Sequence, residues 1–217
     1  MENKKEIKKK ILNMMGEELS KYGFGKKAHG YSFWKPIDDG NRAMIHIAFI
    51  DHYVDFDMTV SVSIRIEIVE NMVNSANNML TKKEASDTST IGIELGNLVE
   101  GRPKRYSVDD YTNLDDVISE MMVSIKERAF PFIEKYSDLE NVMEVMLSDD
   151  IKVWLLSPFH HRRAQNAVAL AKLLRVNELE SIIKKQRDFL ESRNDSGLKW
   201  FNNFVDKLMM EQQEQTE

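Results

Sequence analysis

The sequence predicts an α+β fold: an antiparallel sheet of four to five strands with one face covered by helices, followed by a C-terminal helical layer. Three observations carry this. From Phe56 to Ile68 every second residue is apolar (Phe56, Met58, Val60, Val62, Ile64, Ile66, Ile68), with Asp57, Thr59, Ser61, Ser63, Arg65 and Glu67 between them. That is the period of a strand with one face on a core and the other in water, the habit of antiparallel rather than doubly covered parallel sheets. Asp38-Asp39-Gly40-Asn41 is a turn signal between two further apolar segments. From Asn113 onward the apolar spacing is helical throughout.

Taken in order, the first helix runs from Lys4 to Tyr22, with Ile7, Ile11, Met14, Met15, Leu19 and Tyr22 on one stripe. Gly23 stands where helices favour a left-handed glycine. A short aromatic strand follows, with Tyr31 and Phe33 on one face and then Trp34. The second strand covers Arg42 to Ile50, and Asp51 to Asp55 turns the chain into the long third strand. Thirteen extended residues would span about 40 Å, so a bulge or bend is expected. After Val69 the period turns helical through Met72, Val73, Ala76, Met79 and Leu80. Thr81 to Ser89 reads as an exposed loop. Ile91, Ile93 and Leu95 mark a fourth strand, and Arg105 to Val108 a possible edge strand.

Leu114 to Ala129 forms a helix whose first turn holds Asp115 and Asp116 after an Asn113 cap, with Pro131 breaking or kinking it. That placement explains the acidic pair better than a catalytic dyad with Asp109 and Asp110 would. Leu139 to Leu147 is another helix, and Ser157-Pro158 opens a third that carries Ala164, Ala167, Leu170, Ala171 and Leu174. Asn177 with Glu180 resembles a capping box ahead of a helix over 178–192, and a last helix holds Leu198, Phe201, Phe204, Val205 and Leu208. We therefore expect an α+β unit over residues 1–137, a helical layer over 138–210 packed on the same core, and a disordered tail over 211–217.

With 217 residues, 42% hydrophobic and 30% charged, the composition is that of a folded protein. No apolar run is long enough to span a bilayer, and the lysine-rich start lacks the apolar stretch of a signal peptide. A cytoplasmic location without membrane contact is expected. The absence of cysteine excludes disulfides, thiolate metal sites and a cysteine nucleophile. Charge is uneven: +5 over residues 1–35, −8 over 36–116 and −3 over 117–217. An acidic sheet region argues against nucleic acid, which is bound through Lys and Arg, and for a basic protein partner. The lysines at 8, 9, 10, 26 and 27 read as a solvated helix and turn. The thirteen methionines read as core filling.

Glycine-rich nucleotide loops, His-Glu-x-x-His and Gly-x-Ser-x-Gly are absent, and no cofactor is expected. Gly23-Phe24-Gly25 follows a helix, not a strand, and reads as a turn. His46, Asp51, His52 and Asp55 are of the types that hold a divalent metal, although such residues also build ordinary polar turns, so no metal is assigned. His160, His161, Arg162 and Arg163 fall in the first turn of a helix. Cations there oppose the macrodipole unless something anionic binds, which makes them an anion-binding candidate, against a plainer reading as a solvated turn paired with Asp149 and Asp150. On the wet face of the third strand, Asp57, Thr59, Ser61, Ser63, Arg65 and Glu67 form a candidate interaction face.

The run Leu19-Ser20-Lys21-Tyr22-Gly23-Phe24-Gly25-Lys26-Lys27, then Tyr31-Ser32-Phe33-Trp34, resembles uncharacterised bacterial domains of unknown function. In those domains a helix closes on Gly-Phe, lysines follow, and an aromatic strand begins a small antiparallel sheet. Ile91 to Leu95 and Ala129-Phe130-Pro131-Phe132 look like the same plan. The resemblance implies an α+β fold and transfers no site residue. The function expected is a non-enzymatic, immunity-like interaction protein that uses an acidic sheet or hairpin surface. The alternative is a small-molecule-binding or hydrolytic enzyme with a His/Asp or His/Arg site.

Overall fold

A computed structural model describes residues 4–77 and 79–214. They form two compact units: Met1–Arg65 with Gly92–Ser137, and Ile66–Ile91 with Asp138–Glu217. One boundary falls after Ser137, and the segment from Ile66 to Ile91 belongs with the C-terminal helices.

In the first unit, α1 (Lys4–Ser20) buries Ile11, Met15 and Leu19. Gly23 adopts φ +87°, and the Phe24 amide donates back to the Leu19 carbonyl at 3.3 Å, a left-handed termination that glycine permits. The sheet contains β1 (Ser32–Pro36), β2 (Arg42–Asp51), β3 (Phe56–Arg65), β4 (Ile91–Glu94, in this unit from Gly92) and β5 (Tyr106–Val108). Its path is β1-β2-β3-β4, with β5 also on β3. Phe33 opposes Ile45 and Ile45 opposes Val62; all three are buried, so one face carries the core across three strands. The Asp38–Gly40 turn between β1 and β2 is closed by the Ile37 amide on the Asn41 carbonyl at 2.7 Å.

Strand β3 stops at Arg65, three residues short of the expected run. Ile66 is the N-cap of α2 (Glu67–Asn74), where Glu67 and Glu70 lie in the first turn and favour the helix dipole. The polar side of β3 is also less wet than its alternation implies: Thr59, Ser63 and Arg65 are buried. β3 is the middle strand, and its small side chains lie beside longer cross-strand neighbours, His46 opposite Ser61 and Met44 opposite Ser63.

Of the break or kink expected at Pro131, the break does not occur: the chain after β5 stays helical through it. α4 (Leu114–Ser124) is capped by Asn113 Oδ1 on the Asp115 amide at 3.1 Å, then passes through a π-helical turn (Ile125–Ala129) into α5 (Phe130–Tyr136). The wider turn just before Pro131 accommodates a residue that cannot donate and would crowd the preceding turn.

In the second unit, α7 (His160–Leu174) is buried along nine consecutive residues, Arg163 to Ala171. It packs on α2, α6 (Leu139–Leu147), α8 (Leu179–Ser192) and α9 (Leu198–Glu214). Ala164, Ala167, Ala169 and Ala171 keep that central helix thin enough for neighbours on several sides. Three expectations fail here. The exposed loop of Thr81 to Ser89 contains a short helix, α3 (Lys82–Asp87), closed by a reciprocal capping box between Thr81 and Glu84. The capping box expected at Asn177 and Glu180 is not formed: Val176–Glu178 is a 3₁₀ turn, and α8 starts after Glu178 without a side-chain cap. The tail expected to be disordered is helical over Glu211–Glu214, and its last three residues lie outside those described. Among the described residues no helix is long and apolar enough to cross a membrane.

Candidate functional site

The segment before α7 sets up its first turn. α6 ends at Leu147, Asp150 Oδ1 accepts the Lys152 amide at 2.9 Å, and a 3₁₀ turn (Ile151–Leu156) delivers Ser157-Pro158. Phe159 then serves as N-cap in extended conformation. It provides no side-chain cap, so the amide end of α7 is not closed by its own chain.

The four basic residues that follow diverge. Arg162 turns to α2, donating from Nη2 to Glu70 Oε2 at 2.5 Å and to Asn74 Oδ1 at 2.7 Å. Glu70 is fully buried and also accepts from Thr90 Oγ1 at 3.1 Å. His161 turns to the start of α9: its ring lies 5.1 Å from that of Trp200, Nδ1 is 3.7 Å from Asp195 Oδ1, and Gly197 packs so closely that a Cβ there would overlap the imidazole. Burial holds the His161 pKa below the usual histidine range, against the opposing charge of Asp195.

His160 and Arg163, three apart and so on one side of the helix, line a recess with Leu147, Ser148, Asp149, Lys185, Gln186 and Phe189. Its cavity of about 20 Å³ is enough for at least one water-sized group. Arg163 is 5% exposed. Its Nε donates to the Met146 carbonyl at 3.3 Å and its Nη2 to the Ser148 carbonyl, while Nη1 is buried without a partner. Burial lowers the Arg163 pKa, and Asp149 acts in the opposite sense. His160 Nδ1 is likewise buried without a partner, as is the neighbouring Trp154 Nε1. The rings of Trp154, His160 and Phe189 pack edge to face in a triangle with centroids 5.1, 5.4 and 5.7 Å apart. Arg193 lies over both Trp154 and Phe189, at 4.6 and 4.9 Å. At the rim, Lys185 Nζ is 2.9 Å from Asp149 Oδ2.

Two buried donors without acceptors, Arg163 Nη1 and Trp154 Nε1, with His160 Nδ1 a third in the tautomer that protonates it, leave an excess of donors near the uncapped helix N-terminus. Unmade hydrogen bonds in such surroundings are costly, so the site is suited to an oxygen acceptor carrying negative charge.

The other sequence candidates do not converge. His46 Nδ1 is 2.9 Å from Ser32 Oγ, and burial lowers the His46 pKa. Asp51 is bound by Lys8 at 2.7 Å, which lowers its carboxyl pKa. His52 Nε2 is 3.1 Å from Asp57 Oδ2, while the Asp55 carbonyl accepts the His52 amide at 3.0 Å. Among the described residues no group of three or more His, Asp or Glu could hold a metal ion. Of the proposed interaction face, Thr59, Ser63 and Arg65 are buried, Ser61 is half-buried, Asp57 is bound by Ser107 and His52, and Glu67 belongs to a helix.

Sequence reasoning missed Trp154, Lys185, Gln186 and Phe189. An unpaired cationic first turn points to an anion, but nothing in the spacing says which residues of α8 face it. Comparison with family models, curated proteins and solved structures finds no match for this chain.

Proposed function

We propose that the helical unit is a binding module for a small anionic group, seated in the recess between the start of α7 and the middle of α8. The observation that carries this is Arg163, a residue 5% exposed that lines the recess and whose Nη1 is buried without an acceptor. A buried cation without its counter-charge is costly, and a bound anion supplies both the charge and the missing acceptor. His160 Nδ1 and the uncapped helix end act in the same sense. Ser148, the hydroxyl among the lining residues, accepts the Asp150 amide at 3.1 Å, an arrangement that suits turn formation better than nucleophilic attack. The reading is therefore of binding without turnover.

Thermal unfolding in acetate, phosphate and sulfate, at ionic strength matched with chloride, tests this. Specific binding to the folded state raises Tm by mass action, about 2.7 kcal/mol at a hundredfold excess over Kd. We expect at least one anion to stabilise the wild type and to lose that effect in His160→Phe, which keeps the aromatic packing and removes Nδ1. Equal Tm values in every salt would overturn the reading.

A second reading concerns the sheet unit. Register Phe56↔Val108 brings residues 52–55 beside 109–112 at one end of the sheet. Tyr53 and Tyr111 are there 99% and 96% exposed. With Asp55, Asp109 and Asp110 nearby, this end suits the basic protein partner that the charge distribution implies. A partner captured by the wild type and kept undiminished by Tyr53→Ser, Tyr111→Ser would remove this reading.

A further inference from the structure

Resting on the anion reading of the recess, we infer that the group it takes is a carboxylate on an apolar substituent. Three observations lead there. The first is the donor geometry of Arg163. Nε and Nη2 each serve one carbonyl, of Met146 and Ser148, and Nη1 is the guanidinium nitrogen left without an acceptor. One carboxylate oxygen on Nη1 supplies the acceptor that this nitrogen lacks, in a recess that His160 also lines.

The second is size and charge. A cavity of about 20 Å³ admits the charged head of a small ligand, with the rest of the ligand lying along the recess wall. The nearby charges are largely matched within the protein: Arg162 pairs with Glu70, and Lys185 pairs with Asp149. Arg163 is the buried cation left over, and one cation suits a monoanion. A dianion would place surplus negative charge close to Asp149.

The third is the wall. Leu147 and Phe189 line the recess on its apolar side, and Trp154 and Arg193 stack behind Phe189. An acid whose carbon skeleton lies against Phe189 buries apolar surface while its head reaches Arg163. That chemistry has two sources, a free aliphatic or aromatic carboxylic acid and the C-terminal carboxylate of a peptide ending in an apolar residue.

Calorimetric titration of the full chain with phenylacetate, inorganic phosphate, and the tripeptide Ala-Ala-Phe with a free or amidated C-terminus separates the possibilities. We expect phenylacetate or the free-acid peptide to bind at least tenfold more tightly than phosphate, with the amidated peptide not binding. His160→Phe should weaken that binding at least tenfold. Arg163→Met should abolish it, and because Arg163 also holds two carbonyls, the His160 variant keeps the test decisive if Arg163→Met does not fold. Tighter binding of the peptide than of phenylacetate identifies a chain terminus as the source, and the reverse order a free acid; either supports the assignment. Phosphate bound as tightly as both acids would overturn the carboxylate while leaving the anion site standing. No binding by any of the three anions would overturn both.

Discussion

Arg162 and Glu70, ninety-two residues apart in the chain, form an ion pair at 2.5 Å in which the carboxylate is fully buried and the arginine side chain partly so. It ties the first helical turn of α7 to α2, and the same Nη2 reaches Asn74, whose amide group holds the Ala85 carbonyl and Thr88 Oγ1 at 3.0 and 2.9 Å. The pair therefore organises the whole segment from Ile66 to Ile91 around α7. Asn166 adds to it, donating to the Thr90 carbonyl at 3.2 Å.

Removing one partner of such a pair strands the other, and a stranded buried charge costs about 3–5 kcal/mol. Arg162→Ala leaves its partner carboxylate fully buried with the neutral Thr90 hydroxyl still donating to it, whereas Glu70→Ala leaves an arginine side chain that is 17% exposed and still bound to Asn74. Urea unfolding should therefore show a larger loss for Arg162→Ala than for Glu70→Ala. Equal losses below about 1 kcal/mol would mean that the pair is not formed in solution.

Gly16 tests the packing of the sheet unit. Replacing a glycine in the body of a helix by alanine ordinarily stabilises it by about 1 kcal/mol. Here a Cβ would overlap the Lys26 carbonyl oxygen and press on Phe33 at 3.3 Å, and neither the backbone group nor the fully buried ring can yield cheaply. Gly16→Ala should therefore destabilise the protein, by about 1–3 kcal/mol on the scale of overpacked cores. A gain in the denaturation midpoint would show that α1 does not approach the Lys26 loop this closely.

How far the sequence speaks depends on the range of the interaction. The period of two in β2 and β3, the Asn113 cap and the left-handed Gly23 are written locally, and each is found in place. Where a local pattern runs on into a competing one, it misleads: Ile66 and Ile68 continue the strand alternation, yet Glu67 and Glu70 start a helix. The Thr81/Glu84 capping box was equally local and was obscured by the polar character of its surroundings. Burial of Arg65 and Thr59 was not legible, because alternation gives the side of the strand and not its neighbours. The anion candidate was legible as an electrostatic anomaly at one helix start. Its division into Arg162 on Glu70, His161 on Trp200, and His160 with Arg163 on the recess depends on helices far apart in sequence.

Asp57 contributes to the acid sensitivity of the sheet unit. Its carboxylate accepts Ser107 Oγ at 2.7 Å and lies 3.1 Å from His52 Nε2 and 3.5 Å from Arg105 Nη1. The Ser107 hydrogen bond leads in holding its pKa below the usual aspartate range, with His52 and Arg105 adding to it and partial burial opposing. A carboxyl whose folded-state pKa is lowered binds its proton more readily in the unfolded chain. The stabilisation is therefore complete above the unfolded value of about 3.9, and is lost as pH falls from there through the lowered folded value. Since Asp57 joins β3 to β5 and the β2–β3 turn at once, its protonation loosens the sheet end that displays Tyr53 and Tyr111. Asp57→Asn should be less stable than wild type at neutral pH, and the two stability curves should converge as pH falls below about 4. Ser107→Ala, which removes the leading hydrogen bond alone, should show the same convergence with a smaller neutral-pH difference. Equilibrium unfolding across pH 2 to 7 reads both, and parallel curves throughout that range would show that Asp57 titrates alike in the folded and unfolded chains.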